Sequence, residues 1–386
     1  MSEPLQLPQG FRAYVTNIGI KDGTDDFTVV ATDGPCVAAG VFTQSSFAGP
    51  SVLVSRRHVA SGAARAMVVI SKNANVATGA QGLADAEEVV AGVAAALGCA
   101  TADVLLASTG VIGRPYPMDV VRAGLASIPS PLPGTDASAV ARGIMTTDTV
   151  AKAASAAVGS ARIVGVAKGV GMIEPNMATM IAMFFTDADI DQPALDATFR
   201  RVIDRTLNCV SVDTDTSTSD TAVILANGSA GPVAVDEFEA ALFAVAESLT
   251  KQIARDGEGA TTLLEVTVDQ ATSAEQAKRV ARAIVNSPLV KTAVHGADPN
   301  WGRVVSAAGY SGVKFDERTL TLWMGDMLLF RDGQPLPFDA VTASAYLKHN
   351  RDVHFRLKFT YGTGRCTFYT CDLTYEYIKL NADYTT

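Results

Sequence analysis

The sequence predicts a mixed α/β protein, and two patterns predict it. Short apolar runs of strand length alternate along the whole chain with longer stretches of helical periodicity. One late segment, residues 353–359, shows instead the strict alternation of a strand with one buried face.

In chain order, the first apolar run is residues 66–70, whose unbroken apolar character suits a strand covered on both faces. Residues 84–97 then place Val90, Val93, Ala94 and Leu97 on one helical face and stop at Gly98, which accepts the left-handed backbone that closes helices. Residues 104–107 form a second buried strand, and Ser108-Thr109-Gly110 reads as the turn after it. The Pro-, Gly- and Ser-rich stretch 127–138 reads as an exposed connection. Further buried strands are expected over 163–166, 181–185 and 222–226. Helices are expected over 191–207, with Leu195, Phe199, Val202 and Ile203 inward, and over 236–253, with Phe238, Leu242, Val245 and Leu249 inward. Ser273-x-x-Gln276 is a capping box that opens a helix burying Val280 and Ile284 and closing before Pro288. In 353–359, Val353, Phe355, Leu357 and Phe359 alternate with His354, Arg356 and Lys358. Residues from about 280 to 386 are therefore expected to form a smaller α/β lobe whose sheet has one wet face.

A chain of 386 residues is long enough for two or three domains with ample cores. Its net charge of −9 leaves no basic surface for a phosphate backbone, so nucleic acid is not an expected partner. No run approaches the roughly 18 apolar residues of a membrane span. The polar start lacks the basic and apolar regions of a signal peptide, so a cytoplasmic protein is expected. Cys36, Cys99, Cys209, Cys366 and Cys371 are odd in number, scattered and without a CxxC pair, which suits reduced thiols, no disulfide framework and no metal site. With only His58, His295, His349 and His354 in the chain, a Cys/His dyad is disfavoured.

Five segments could carry chemistry. Lys168-Gly-Val-Gly-Met-Ile-Glu-Pro-Asn-Met-Ala-Thr179 runs straight into the apolar stretch 180–185, which puts the Thr179 hydroxyl at the edge of a core. It lacks the order of a phosphate-binding loop, and by spacing alone a plain loop before a strand is the simpler reading. Thr109 with the Gly110 amide can aim two donors at one oxyanion, or can be an ordinary turn. The run from Asp213 to Asp220 suggests a calcium loop but has Thr218 where glycine is needed and Ile224 where glutamate is needed, so a hydrogen-bonded polar turn is preferred. Glu258, in Asp256-Gly-Glu-Gly259, is either a solvated residue after a helix or a carboxylate steered into a cleft. The loop from His295 to Arg303 is polar and aromatic, and a His–Asp pair in it reads as structural.

Together these segments resemble the ornithine acetyltransferase family, the bifunctional glutamate N-acetyltransferases of the cyclic arginine pathway. The similarity rests on six motifs: Ala107-Ser-Thr-Gly-Val-Ile-Gly113, Met145-Thr-Thr-Asp-Thr149, the segment Ala167 to Thr179, Asp256-Gly-Glu-Gly-Ala260, Asp298-Pro-Asn-Trp-Gly-Arg303, and the C-terminal stretch from Asp372 to Thr386. The resemblance implies a layered αββα sandwich and self-cleavage between Ala178 and Thr179. An alpha chain, 1–178, and a beta chain, 179–386, would stay associated as a 2+2 heterotetramer. It implies Thr179 as nucleophile, Thr109 and Gly110 as oxyanion donors, and Thr146, Lys168, Thr179, Glu258, Asn381 and Thr386 as substrate contacts. It implies ping-pong transfer of acetyl from N-acetylornithine to glutamate, without a cofactor. Glu174-Pro-Asn176 and the stretch 210–222 resemble a paralogue from β-lactam-type biosynthetic clusters. A related self-cleaving amidohydrolase or aminopeptidase, or an uncleaved amino-acid-binding protein, are the alternatives.

Overall fold

The computed structural model describes residues 5–21, 23–174 and 180–383. The chain divides into two compact units, residues 1–207 with 216–249, and residues 208–215 with 250–386. The first unit contains β1 (Phe11–Thr16), β2 (Phe27–Phe42), α1 (Pro50–Val59), β3 (Ala63–Asn73), α2 (Gly79–Leu97), β4 (Val104–Val111), α3 (Met118–Ala126) and α4 (Ala137–Gly143). It continues with β5 (Lys152–Val158), β6 (Ala161–Lys168), β7 (Ile181–Asp189), α5 (Gln192–Arg205), β8 (Thr221–Pro232) and α6 (Val235–Arg255), and the division between the units falls within α6.

Among the described residues these strands make one eight-stranded sheet in the order β4-β3-β2-β8-β7-β6-β5, with β1 beside β2. Laid flat, its strand spacing would set β4 and β6 about 24 Å apart. Yet Lys168, at the end of β6, reaches Thr109 on β4 with a 3.3 Å hydrogen bond. The sheet is therefore folded over on itself, and β2 forms the corner: its register with β3 breaks between Ala31 and Cys36, across Asp33-Gly34-Pro35. The first half of β2 pairs with β1 and the second with β8.

An inner core fills the fold, with Met67, Val69 and Leu105 in one cluster with Val166, Met183 and Phe185. The rings of Phe11 and Phe185 lie 5.3 Å apart in this layer. On one outer face Val68, Ile70 and Leu106 pack with Val89, Val90 and Val93 of α2. On the other, Phe184 meets Phe199 of α5 edge-on at 5.6 Å, and Gly165 lies against Val245 and Leu249 of α6. Helix, sheet, sheet, helix is the layering expected, and the alternate residues of β3 and β7 point to opposite layers because strand side chains alternate.

One local reading changes, and one strand was not foreseen. Ser108-Thr109-Gly110 is not a turn; it continues β4, because β3 runs on to Asn73 and pairs with it. β2 was hidden from the sequence by Asp33-Gly34-Pro35, which marks a bend within the strand instead of its end.

The second unit holds β9 (Leu263–Ala271), α7 (Ala274–Val285), α8 (Pro288–His295), α9 (Trp301–Gly309), β10 (Thr321–Met324), β11 (Met327–Arg331), β12 (Gln334–Pro335), α10 (Ala340–His349), β13 (Asp352–Lys358), β14 (Gly364–Cys371) and α11 (Tyr375–Asp383). Its sheet runs β12-β11-β10-β13-β9-β14, with β13 and β9 parallel. The unit takes in more than 280–386, since β9 lies between β13 and β14. Ser273 caps α7 by accepting from the Gln276 amide, and the apolar face of α7 packs Val280 and Ile284 with Val266, Leu357 and Phe368. Pro288 does end that stretch, but as the first residue of α8, where its missing N–H costs nothing. Val353, Phe355 and Leu357 are buried and Arg356 is exposed, as the alternation requires. No helix among the described residues is long and apolar enough to cross a membrane.

Candidate active site

In the first unit three strand ends converge. Thr109, 1% exposed, sits near the end of β4. Gly110 follows with φ +133°, and a side chain there would collide with the backbone of Lys72, so glycine is required. β3 accommodates this approach by an irregularity in which Asn73 pairs with both Thr109 and Val111. Lys168, the last residue of β6 and 3% exposed, donates to Thr109 Oγ1 at 3.3 Å. A hydroxyl that accepts from an ammonium keeps its own hydrogen to donate, and the charge polarises it. Lys168 also stands opposite Ile181 in the β6–β7 register. Met180, one residue earlier, is fixed from both sides: its N–H donates to Asp220 Oδ1 at 3.1 Å, and its carbonyl accepts from the Thr221 amide at 3.0 Å. Ala178 and Thr179 lie outside the described residues.

Asp148 organises the neighbouring loop. Its Oδ2 accepts from the Thr146 amide at 3.0 Å, and its Oδ1 accepts from Lys152 Nζ at 2.8 Å and the Gly169 amide at 2.7 Å. It thus ties the Thr146 loop to the end of β6, beside Lys168. Burial pushes its carboxyl up, but Lys168, Lys152 and these hydrogen bonds hold it well below the usual carboxylate range. Lys72 donates to the Met145 carbonyl, and burial, with the charge of Lys168, lowers its pKa against the pull of Asp148.

Asp220 behaves oppositely. It is fully buried, and its Oδ2 has no hydrogen-bond partner among the described residues. Burial pushes its carboxyl well above the ordinary range; the Met180 amide, the Ser217 hydroxyl and the Lys168 charge oppose this without reversing it.

The second unit brings together two other expected residues. Asn381 on α11 donates to Glu258 Oε2 at 3.0 Å. Glu258 is half-buried in the turn after α6, and Asn381 is exposed. Gly259, with φ +69°, lets the start of α11 approach, since a Cβ there would come 2.5 Å from the Tyr377 amide. Burial, with the charges of Asp213 and Glu258, pushes the Tyr377 phenol up to about 12. His295 does pair with an aspartate, but with Asp372 at 3.0 Å; Asp372 also accepts from the Thr261 and Thr262 amides, so the pair pins a backbone. Thr386 lies outside the described residues.

Sequence reasoning missed Asp148, Lys72 and Asp220 as site residues. Asp148 stood inside the Met145 to Thr149 motif and Asp220 closed the run first weighed as a calcium loop, so both were in view without a role. Nothing in the sequence marks Lys72.

The ArgJ family matches residues 12–386. Over 385 residues the chain is 53% identical to the arginine biosynthesis bifunctional protein ArgJ 2 of a Nostoc strain, covering 98% of each. It is 49% identical over 390 residues to the glutamate N-acetyltransferase Oat2 of Streptomyces clavuligerus, covering 99% of this chain and 98% of that one. A crystal structure of the arginine biosynthesis bifunctional protein argJ from Bacillus halodurans aligns with a TM-score of 0.50 at 40% identity, covering 51% of this chain and 96% of that chain. On a family match that spans nearly the whole sequence, and on relatives about half identical from end to end, the chain belongs to the ArgJ family of acetyltransferase enzymes.

Proposed function

We propose that the chain cuts itself between Ala178 and Thr179 and then moves an acetyl group from N-acetylornithine to glutamate through acetyl-Thr179. The convergence of Thr109, Lys168 and the start of β7 carries this reading: the Lys168–Ile181 register and the Lys168–Thr109 bond bring the strand that follows Thr179 to the oxyanion donors. The bifunctional ArgJ relative and Oat2 support the reaction by their names. The Bacillus halodurans chain is matched almost completely yet covers about half of this one, the length one cleavage product would have.

Cleavage frees the Thr179 α-amine, whose reference pKa of about 7.7–8.0 makes it a base near neutral pH. Thr179 Oγ1 attacks the acetyl carbonyl and passes its proton to that amine. The Thr109 hydroxyl and Gly110 amide hold the oxyanion. The C–N bond breaks, ornithine leaves with the proton from the amine, and the acetyl ester remains on Thr179. The glutamate amine then attacks the ester, the α-amine takes its proton, and Thr179 Oγ1 leaves with that proton returned. The resemblance implies Thr146, Lys168, Glu258, Asn381 and Thr386 as further substrate contacts. Lys168 carries three donors, so it can serve an α-carboxylate as well as Thr109.

Self-cleavage does not separate the fragments in this reading. β6, before the cut, pairs with β7 after it, and β2 pairs with β8. We place the product as a 2+2 assembly in the cytoplasm, serving arginine biosynthesis. The resemblance of Glu174-Pro-Asn176 and of residues 210–222 to the paralogue from β-lactam-type clusters favours such a pathway as a second setting, and the donor separates the two, since bifunctional members also take acetyl-coenzyme A.

The test is acceptor dependence. Incubation with N-acetylornithine should add one acetyl group to the fragment beginning at Thr179, stable in buffer and discharged by glutamate. Rapid loss to water would make the enzyme a hydrolase, and stoichiometric binding without acetylation would make it an amino-acid-binding protein.

A further inference from the structure

Asp220 is a carboxyl group that the transfer mechanism does not use. Its place is nonetheless specific. It lies at the head of β8, fully buried, with Oδ1 on the Met180 N–H at 3.1 Å and Oδ2 without a partner among the described residues. That N–H belongs to the peptide bond joining Thr179 to Met180. Three covalent bonds separate it from the Thr179 nitrogen, so the two nitrogens lie within about 4 Å of each other whatever the backbone angles. Any group fixing the Met180 amide therefore restrains the atom that carries the nucleophile's amine and side chain. The Thr221 amide on the Met180 carbonyl completes the clamp, so the residue after Thr179 is held at both ends by Asp220 and by Thr221, the first residue of β8.

The charge state of this anchor matters as much as its position. The 3.1 Å bond and the covalent reach to the Thr179 nitrogen put the carboxyl within about 7 Å of the amine, where an ionised carboxylate favours the ammonium form and works against the base near neutral pH. A fully buried carboxyl whose Oδ2 has no hydrogen-bond partner among the described residues is poorly placed to ionise, and burial pushes Asp220 up against the opposing Met180 amide, Ser217 and Thr43 hydroxyls and Lys168 charge.

Resting on the self-cleaving threonine reading above, we propose that Asp220 is a positioning residue for Thr179: it works as a neutral acid that holds the peptide N–H after Thr179 without placing a negative charge beside the amine. Protonated on Oδ2, the group keeps Oδ1 as the acceptor for that N–H. Asparagine reproduces both properties, an acceptor at Oδ1 and a donor at the other atom, with no charge.

The experiment compares wild type, Asp220→Ala and Asp220→Asn for the rate of self-cleavage, for kcat and KM per folded, cleaved molecule, and for the pH profile of kcat/KM. In Asp220→Ala, cleavage and kcat should fall by about tenfold to a hundredfold, the scale of a misplaced nucleophile, with KM for N-acetylornithine nearly unchanged. Asp220→Asn should recover most of that loss and keep the acid limb of the profile in place. A residue serving only stability would lower the folded fraction and leave kcat per folded molecule intact, which overturns the proposal. Equally contrary results are an Asp220→Asn as impaired as Asp220→Ala, or an acid limb moved to lower pH in Asp220→Asn, since both mean that the carboxylate acts charged. If Asp220→Ala does not fold, Asp220→Asn decides through its kcat and its acid limb. Wild type separates the two readings: if it is never cleaved, the threonine reading fails and takes this one with it, whereas cleaved, acetylated wild type beside an unimpaired Asp220→Ala defeats only the role of Asp220.

Discussion

The two units carry their candidate site residues in contrasting ways. In the first, Thr109, Lys168, Asp148 and Asp220 are all buried, stand at or beside strand ends of a folded sheet, and are restrained by charges or by backbone amides. In the second, Glu258 is half-buried in a turn and Asn381 is exposed on α11, a helix with no buried residue among those described. Buried groups with several partners keep one geometry, which suits bond-making, while an exposed pair on a turn and a terminal helix suits recognition. In the proposed reading the bond-making groups lie in the first unit, while Glu258 and Asn381 act through affinity alone, and each prediction below breaks or sharpens that contrast.

The largest effect is expected from Thr179→Ala, which should remain a single chain and lose turnover by at least about 10⁴-fold, the scale of losing a catalytic nucleophile. Intact mass and steady-state rates check both halves. Next, Thr109→Ala should lower kcat by about a hundredfold or more with little change in KM, since the hydroxyl acts on charge that develops only in the transition state. Substrate saturation curves give the split.

Asp148→Asn should act through stability. It removes the buried carboxylate that pairs with Lys152 at 2.8 Å, at a cost of about 3–5 kcal/mol, read from denaturant unfolding. The pH dependence has a definite sign. The Asp148 carboxyl is held below its unfolded value near 3.9, so its contribution is complete above that value and is lost as pH falls through the folded pKa. Wild type should lose stability on acidification below about pH 4, and the variant should lack that component.

The smallest effects belong to the second unit. Asn381→Ala and Glu258→Gln should raise KM about twofold to tenfold, the range of one hydrogen bond, with kcat within about threefold of wild type. A larger kcat loss in Asn381→Ala than in Thr109→Ala would reverse the assignment.

Much of this was readable before the fold was known, and unevenly so. Helical periodicity placed α2, α5, α6 and α7, because an amphipathic stripe is a property of the local sequence. Apolar runs located β3, β4 and β6 to β8 but not their ends, since the last residues of β4 are small and polar and are strand only because β3 pairs with them. Thr109, Lys168 and Glu258 are candidates by motif. Asp148 and Asp220 are not, because what defines them are amides at Gly169 and Met180, 21 and 40 residues away, and burial that no spacing encodes. The same holds for the fold of the sheet, which turns at Asp33-Gly34-Pro35, a sequence that reads locally as the end of a strand.

Everything assigned to Thr179 depends on its becoming a free N-terminus, and the intact mass of freshly purified protein under denaturing conditions tests that most directly. The account predicts two species, with the masses of residues 1–178 and 179–386. A single species of 40.2 kDa would contradict it, because the α-amine that serves as base would not exist.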